Sequence, residues 1–329
     1  MSTSRKSLTI LFLFGLLAEG FCQSKHKKEV TLETIELIQK EMMTQNVIMS
    51  LSNDIYLGRS VTHKNIEYTK LFLENVLSSQ KIKPYGKSYR IPFTIKDSLK
   101  SDIIVGYIDN KVPNKTIIIT ANYDNMGMVR NDEEPYADSI YNGANDNATG
   151  VAALFQLASA FKYFKMDYNL LICFTSGKHY AMCGAGYLAD TLRHYNIKPI
   201  LALNFEMLGK KVNGDTKAFI LSDELSNFRT LINQSINEPF LEPIVSDEDM
   251  SQNEKSEHTP FYNVFHIPSH TITTFNYKND ENYLTPADDI KNIDLKNTHS
   301  LINKFSYALF KILSENEKLV FKEKSQPNQ

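Results

Sequence analysis

The chain has 329 residues, of which 42% are hydrophobic and 22% charged, and its formal net charge is −2. This length can bury a full hydrophobic core in one large domain or two small ones. The nearly balanced charge excludes the strongly basic composition that is typical of nucleic-acid-binding proteins.

The N-terminus predicts a secretory signal peptide over residues 1–23. A basic start precedes the apolar run LTILFLFGLLA (8–18), and the polar segment EGFCQS follows it, which is the order of a signal peptide. The run is too short to cross a bilayer as a helix, and no later segment is apolar enough for a membrane span. Phe21 is bulky where a lipoprotein site has a small residue, so a lipid anchor on Cys22 is the less favoured alternative. We therefore expect a secreted or periplasmic protein.

The first part of the remaining chain predicts two helices and a pair of strands. Apolar residues at three- and four-residue spacing indicate helices over 30–44 and 64–79. LSNDIYLGRSVTHKN (51–65), between them, predicts a polar loop. YRIPFTI (89–95) and SDIIVGYI (101–108) are rich in β-branched and aromatic residues, which indicates an antiparallel pair of strands.

From residue 115 onward, apolar strands alternate with helices. Strands are predicted at 115–121, 168–175, 198–205, KAFILS and 267–275, and helices at 147–163, 182–194, 223–236 and 292–316. This alternation predicts an α/β fold with a mostly parallel central sheet covered by helices on both faces. We expect a single domain over 30–318, followed by a polar tail at 319–329.

Polar side chains stand where the predicted strands end. They are Asn122 and Asp124 after the first strand, Asp146 at the start of the next helix, Lys178 and His179 after the second strand, and Glu206 after the third. The carboxyl ends of parallel strands lie at one edge of a sheet, where ligands bind in such folds. The sequence therefore predicts a functional site at this edge, built from side chains that include several metal-binding types.

The other cysteines and histidines favour structural roles. Cys173 lies in the buried strand LLICF, and a bridge to Cys183 stays open as an alternative in an oxidising compartment. His270 is predicted to lie in the core, and three histidines are predicted at the surface: His63, His194 and His299. No G-x-S-x-G turn, P-loop or dinucleotide fingerprint occurs, which argues against serine-triad and phosphate chemistry.

Four segments resemble the di-zinc aminopeptidases, a family that includes bacterial leucine aminopeptidases and has glutamate carboxypeptidase and glutaminyl cyclase as relatives. They are SNDIYLGRSVTHKN, YNGANDNATGVAALFQLA, SEHTPFYNVFHIP and YLTPADDIKNID. The resemblance runs from about residue 50 to 310 and implies the three-layer fold of that family, with two zinc ions that activate a shared water and a glutamate as general base.

The resemblance also assigns positions to individual residues. Asp146 stands where the family has the aspartate that bridges the two zinc ions. Asp124 stands where it would orient the first metal ligand, with a plain turn residue as the alternative. His258 matches a histidine near the substrate cleft, with a helix cap as the alternative.

The chain departs from the family at the positions that carry the chemistry. Asn122 replaces the first histidine ligand, Lys178 replaces the general base, and His179 replaces a glutamate ligand. Glu206 keeps a carboxylate in place of an aspartate, and Leu284 replaces the last histidine ligand. An ammonium repels a metal and is a poor proton acceptor at neutral pH, and leucine offers no ligand atom.

Three interpretations follow. In the favoured one, the charge of Lys178 stands in for the lost metals between Asp146 and Glu206, so no cofactor binds. The protein is then a pseudopeptidase whose cleft binds a peptide or another protein. In the second, one zinc or calcium ion survives on Asp146, Glu206 and His179 with help from Asn122, in an atypical exopeptidase or cyclase. In the third, Lys178 is a nucleophile or base in a reshaped site.

Overall fold

The computed structural model describes residues 28–129, 138–212, 214, 217–244, 256–276, 278–315 and 319–322. The predicted signal peptide, the end of the predicted polar tail and Cys22 lie outside these residues and stay predictions.

The described chain begins with three helices and a run of six strands, after which helices and strands mostly alternate. The helices are α1 Leu32–Ile38, α2 Glu41–Leu51, α3 Ile66–Ser79, α4 Thr149–Phe164, α5 Cys183–His194, α6 Phe228–Ile236, α7 Thr259–Phe265 and α8 Leu295–Ser314. The strands are β1 Lys83–Pro84, β2 Arg90–Lys96, β3 Leu99–Ile108, β4 Thr116–Asn122, β5 Gly127–Met128, β6 Ile140–Tyr141, β7 Asn169–Thr175, β8 Pro199–Glu206, β9 Ala218–Leu221, β10 Leu241–Pro243 and β11 Ser269–Thr273.

Nine of the described strands form one central sheet in the order β1-β3-β7-β4-β8-β11-β9-β10, and β2 also pairs with β3. The pairs β7–β4, β4–β8 and β8–β11 in the middle are parallel. The pairs of β3 with β1, β2 and β7 are antiparallel, as is β9 with β11. The prediction of an α/β fold is confirmed, and the sheet is mixed, with a parallel centre.

Helices cover both faces of this sheet because alternate residues of its strands point to opposite sides. Ile117 and Ile119 of β4 belong to a large buried cluster with α1, α2, α3, α4, α6 and α8. Ile118 of the same strand belongs to a second buried cluster with α5 and α7. The two clusters are the two halves of a three-layer core, as predicted. Among the helices that the structure describes, none combines the length and apolar character that crossing a membrane requires.

The predicted helix at 30–44 is wrong in one respect: two helices, α1 and α2, occupy this region. Gln39 and Lys40 are extended between them. The buried Gln39 side chain donates hydrogen bonds to the carbonyl of Gln156 and the hydroxyl of Ser306. These long-range bonds satisfy the amide nitrogen of the buried Gln39 side chain at the break between the two helices.

The predicted polar loop at 51–65 contains a 3-10 turn at Asp54–Arg59 and a buried charge. Arg59 is only 1% exposed. Its guanidinium donates to a ring of carbonyl oxygens, on Leu51, Tyr123, Asn142 and Gly143. Burial lowers the pKa of Arg59 to about 10, although nearby aspartates oppose this shift. The loop is therefore anchored in the core beside the candidate site.

The remaining cysteines and histidines fall into buried and exposed positions. Cys173 is buried, Cys183 is half-buried, and both thiols are free, so the alternative of a bridge is not supported. His194 is exposed, as predicted. His63 and His299 are both half-buried instead of lying fully at the surface, and the ring of His299 bonds to Thr44 and Asn303.

Candidate functional site: a lysine between two buried carboxylates

The predicted site lies at the carboxyl-end edge of the parallel strands. Asn122 ends β4 and Glu206 ends β8. Asp146 lies in the turn before α4, and Lys178 follows β7, which pairs with β4. The parallel pairing brings these four residues to one side of the sheet.

Lys178 binds both carboxylates of the site. Its Nζ lies 3.1 Å from Oδ1 of Asp146 and also donates to Oε1 of Glu206. The side chains of Lys178, Asp146 and Glu206 are 8%, 2% and 6% exposed, so solvent screens the ion pairs little. We call these three residues the Lys178 triad.

The charges of the triad determine the protonation state of the lysine. Burial opposes the charge of Lys178, but Asp146 and Glu206 outweigh it and raise the pKa of Lys178 well above its ordinary value. A nucleophilic or basic lysine needs a lowered pKa. The direction of this shift does not favour Lys178 as nucleophile or base, and that interpretation stays a prediction.

The turn that carries Asp146 is fixed by the two asparagines on either side of it. Asn147 donates to the carbonyl of Phe205 and accepts from the N–H groups of Met207 and Gly150. Asn145 accepts from the N–H of Gly209 and donates to Asp280. Each amide donates through its nitrogen and accepts through its oxygen, whereas a serine or threonine hydroxyl has one oxygen for both. They fasten the turn to the end of β8 and hold Asp146 opposite Glu206.

A close contact between α4 and β8 also places the turn. A Cβ atom on Gly150 would lie 2.2 Å from the carbonyl oxygen of Phe205. Only glycine allows the first turn of α4 to approach β8 this closely. The approach brings Asp146 and Glu206 within reach of the same lysine.

Asp288 positions Asp146 from the other side and was missed by sequence reasoning. Its carboxylate accepts from the backbone N–H groups of Asn145 at 2.7 Å and Asp146 at 2.9 Å. Burial raises the pKa of Asp288 to about 6, although these two donors oppose the shift. The available signal was its place in the segment YLTPADD, which carries part of the family resemblance.

Both ends of the Asn122 side-chain amide take part in hydrogen bonds. Asn122 is buried, its Oδ1 accepts from the amide of Asn147 at 3.0 Å, and its Nδ2 donates to the backbone carbonyl of Asp124. The resemblance implied that Asp124 orients the residue at the first-ligand position. The backbone carbonyl of Asp124, not its carboxylate, contacts the Asn122 side chain. The carboxylate accepts instead from the N–H of Gly177, next to Lys178. Asp124 therefore helps to hold the loop that carries the lysine.

His179, the remaining predicted metal ligand, is exposed to solvent. Leu284, which was expected to mark a lost ligand position, is an exposed apolar side chain. Among the described residues, no three His, Cys, Asp or Glu side chains converge as metal ligands. With an ammonium between the two carboxylates as well, these residues do not fit the donor set that zinc requires.

Glu257 is another buried carboxylate near the triad that sequence reasoning missed. Glu257 is fully buried, and its Oε2 accepts from the hydroxyl of Thr175 at 2.6 Å. Among the described residues, nothing donates to its Oε1. Burial raises the pKa of Glu257 to about 8, although the bond from Thr175 opposes the shift. Its signal was also its position in a resembling segment, directly before His258.

His258 belongs to a buried polar network that reaches Glu206. It is buried, with Nε2 bonded to Ser222 at 2.8 Å and Nδ1 to Thr271 at 3.0 Å. Ser256 links this pair to the triad through Thr271 at 2.6 Å and Glu206 at 3.4 Å. His258 begins α7 without a side-chain capping bond, so the predicted helix-cap role is wrong, and the predicted position near the substrate cleft stays a prediction.

The sequence matches a known family over most of the described domain. The model of peptidase family M28 matches residues 103–309. A "Probable zinc metalloprotease" of Leptosphaeria maculans is 27% identical over 120 residues, which are 36% of this chain and 26% of that protein. A protein of the same name from Pyricularia oryzae is 27% identical over 125 residues, 38% of this chain and 23% of that protein. The chain therefore spans about a quarter of the length of the curated relatives it matches.

Solved structures share the fold at low sequence identity. The LapA aminopeptidase of Legionella pneumophila has a TM-score of 0.68 and 16% identity, over 94% of this chain and 80% of that one. A Zn-dependent exopeptidase of Parabacteroides distasonis has a TM-score of 0.65 and 14% identity, over 84% and 98%. The glutaminyl cyclase of Tannerella forsythia has a TM-score of 0.65 and 15% identity, over 85% and 99%.

Proposed function

The chain belongs to peptidase family M28, and we propose that it is a pseudopeptidase of this family, with a lysine in place of the catalytic metals. The Lys178 triad carries the proposal. The ammonium of Lys178 contacts both Asp146 and Glu206, and its charge would repel a cation placed between them.

The protonation state of Lys178 further supports the loss of hydrolytic activity. The family mechanism implied by the resemblance uses a carboxylate that accepts a proton from water. At the corresponding position, this chain carries an ammonium that its two carboxylates keep protonated. An ammonium cannot accept this proton.

The single-metal alternative, an exopeptidase or cyclase, has less support. It required Asp146, Glu206 and His179 to share one ion with help from Asn122. His179 is exposed, and the carbonyl of Asn122 already accepts a hydrogen bond from Asn147. The Tannerella forsythia neighbour named as a glutaminyl cyclase shares only the fold with this chain at 15% identity.

We further propose that the cleft binds a peptide or protein and that the N-terminal leader directs the protein to the cell exterior or the periplasm. Membership of a peptidase family supports the first part. The order of charged, apolar and polar residues at 1–23 supports the second.

The test is a hydrolysis assay on the purified protein with added zinc. Aminoacyl p-nitroanilides and an N-terminal glutaminyl peptide serve as substrates, before and after treatment with a chelator. We expect no turnover above the rate without protein. The Asp146→Asn variant is the control. Activity of a contaminating enzyme would persist in this variant, whereas activity of the site would be lost. Zinc-dependent turnover that this variant loses would contradict the proposal.

A further inference from the structure

A cavity of about 120 Å³ lies between α8 and the residues that directly precede β9 and β10. Four residues of its lining lie on one face of α8, because three and four positions separate them along the helix. They are Asn297, Ser300, Leu301 and Lys304. None of the lining residues belongs to the Lys178 triad, so the cavity is a separate feature of the molecule.

The buried part of this lining is apolar. Phe240, Leu301 and Val212 are 0%, 4% and 7% exposed. The backbone N–H of Lys217 donates to the carbonyl of Phe240 at 3.0 Å, which fixes Lys217 next to this apolar part. Buried apolar side chains with a few polar groups around them are the usual composition of a small-molecule site.

The polar part of the lining is basic and contains no carboxylate. Its members are Lys211, Lys217, Lys304, Asn297 and Ser300. Lys304 is compensated, because its Nζ lies 2.8 and 3.0 Å from the two carboxylate oxygens of Glu238. Among the described residues, neither Lys211 nor Lys217 has an ion-pair partner. Two uncompensated positive charges therefore line one cavity of a chain whose net charge is −2.

The lysines, and not the start of α8, supply the positive charge. The Asp294 carboxylate caps this helix and accepts from the N–H of Asn297 at 3.0 Å. The N–H of Thr298 donates to the backbone carbonyl of Asp294 at 2.9 Å. The first turn of α8 thus has its own cap, so the side chains of the lining must provide the contacts to an anion.

We propose that this cavity binds a small phosphomonoester, with the phosphate held by Lys211 and Lys217 and the organic group packed on the buried apolar residues. Two uncompensated ammonium groups match the charge of a dianion. The remaining phosphate oxygens can accept from the amide of Asn297 and the hydroxyl of Ser300. This inference goes beyond the proposed function and does not depend on the loss of hydrolytic activity.

Phenyl phosphate is the probe, with inorganic phosphate and benzoate as comparisons. Binding to the full chain is measured by calorimetry at fixed ionic strength and about pH 8, where a phosphomonoester is a dianion. We expect saturable binding of phenyl phosphate. Inorganic phosphate should bind about tenfold more weakly because it has no apolar group to bury. Benzoate should also bind about tenfold more weakly, because it carries a single negative charge.

A matched pair of lysine variants locates the binding. Lys217→Gln removes a lysine of the lining, and Lys296→Gln removes an exposed lysine of α8 that is outside the lining. Both variants lose one positive charge, so the attraction by the net charge of the chain falls equally. We expect phenyl phosphate to bind about tenfold more weakly to Lys217→Gln, with a change of less than about twofold for Lys296→Gln. Lys211→Gln changes an exposed residue of the lining and should weaken binding about fivefold even if Lys217→Gln fails to fold.

Four results would overturn the inference. They are the absence of saturable binding, equal effects of Lys217→Gln and Lys296→Gln, equal affinity for phenyl phosphate and benzoate, and equal affinity for phenyl phosphate and inorganic phosphate. None of them bears on the proposed function, because the hydrolysis assay tests the Lys178 triad and not this cavity.

Discussion

At the scale of single residues, the site depends on a balance between one cation and two buried anions. Asp146 and Glu206 would repel each other without Lys178, and each of the three side chains is nearly excluded from water. A buried ion pair adds little net stability over an apolar pair, but removing one partner leaves an uncompensated charge. Lys178 is therefore needed for stability in a way that an exposed lysine is not.

We predict that Lys178→Met lowers the free energy of unfolding by about 3–5 kcal/mol, the usual cost of breaking a buried pair. Urea denaturation at neutral pH measures this. Lys178→Met combined with Glu206→Gln removes one of the two anions, and we expect it to recover much of the loss. The control Lys111→Met removes the 84% exposed partner of Asp109 and should cost less than about 1 kcal/mol. A loss of less than about 1 kcal/mol for Lys178→Met would contradict the need for Lys178 between the two carboxylates.

The sequence predicted the residues of the triad but not those that position it. Asp146, Lys178 and Glu206 each follow or precede an apolar element, so their common sheet edge could be inferred. Asp288 and Glu257 come from segments far along the chain, and their contacts depend on loop paths that no local pattern encodes. The exposure of His179 could not be predicted from the sequence either, because it depends on the backbone path of the loop after Gly177.

At the scale of elements, the contact between α6 and β11 contains an uncharged histidine. The ring of His270, on β11, stacks on Phe228 of α6 at 5.4 Å and bonds to Ser226 at 2.8 Å. Burial lowers the pKa of His270 to about 4, although a backbone carbonyl opposes the shift. The predicted core position of His270 is confirmed.

The buried His270 predicts that the free energy of unfolding decreases as the pH becomes acidic. Between pH 6.5 and 4 the unfolded chain binds a proton at His270 and the folded chain does not, so the stabilisation is full above pH 6.5 and is lost as pH falls. The loss amounts to about 3 kcal/mol at pH 4. Asp288, with a raised pKa, acts in the opposite direction, so the variant must be compared with the natural chain. As pH falls from 7 to 4, the natural chain should lose its stability advantage over His270→Gln. The free energy of unfolding of both proteins, measured with denaturant at each pH, tests this.

The exposed His194 supplies the control for this prediction. His194→Gln should change the free energy of unfolding by less than about 0.5 kcal/mol at both pH 7 and pH 4, because the His194 side chain is exposed. An unchanged slope in His270→Gln would contradict the assignment of acid sensitivity to the α6–β11 contact.

Helices and strands could be predicted from the sequence where apolar periodicity is strong. The interruptions within them could not be predicted. β4, β7 and β8 and the helices α3, α4 and α5 fall close to the predicted ranges. The break at Gln39 escaped because its cause is a set of bonds to residues more than a hundred positions away. The three-residue β10 was missed because so short a segment carries no period.

At the scale of the whole molecule, the chain has the fold of its family, and under the proposed function this fold surrounds an altered centre. The three layers and the parallel strands at the middle of the sheet bring the carboxyl ends of those strands to one edge. The proposal places the difference in the chemistry of a few side chains at that edge. The prediction of a single domain over 30–318 stays a prediction.

The metal content of the purified protein tests the central claim most directly. Elemental mass spectrometry is applied to the natural chain and to Lys178→Glu, before and after dialysis against zinc. We predict less than about 0.1 metal ion per natural chain, and about one tightly held ion in Lys178→Glu, where three carboxylates converge. About one ion per natural chain that survives dialysis would contradict the replacement of the metals by Lys178.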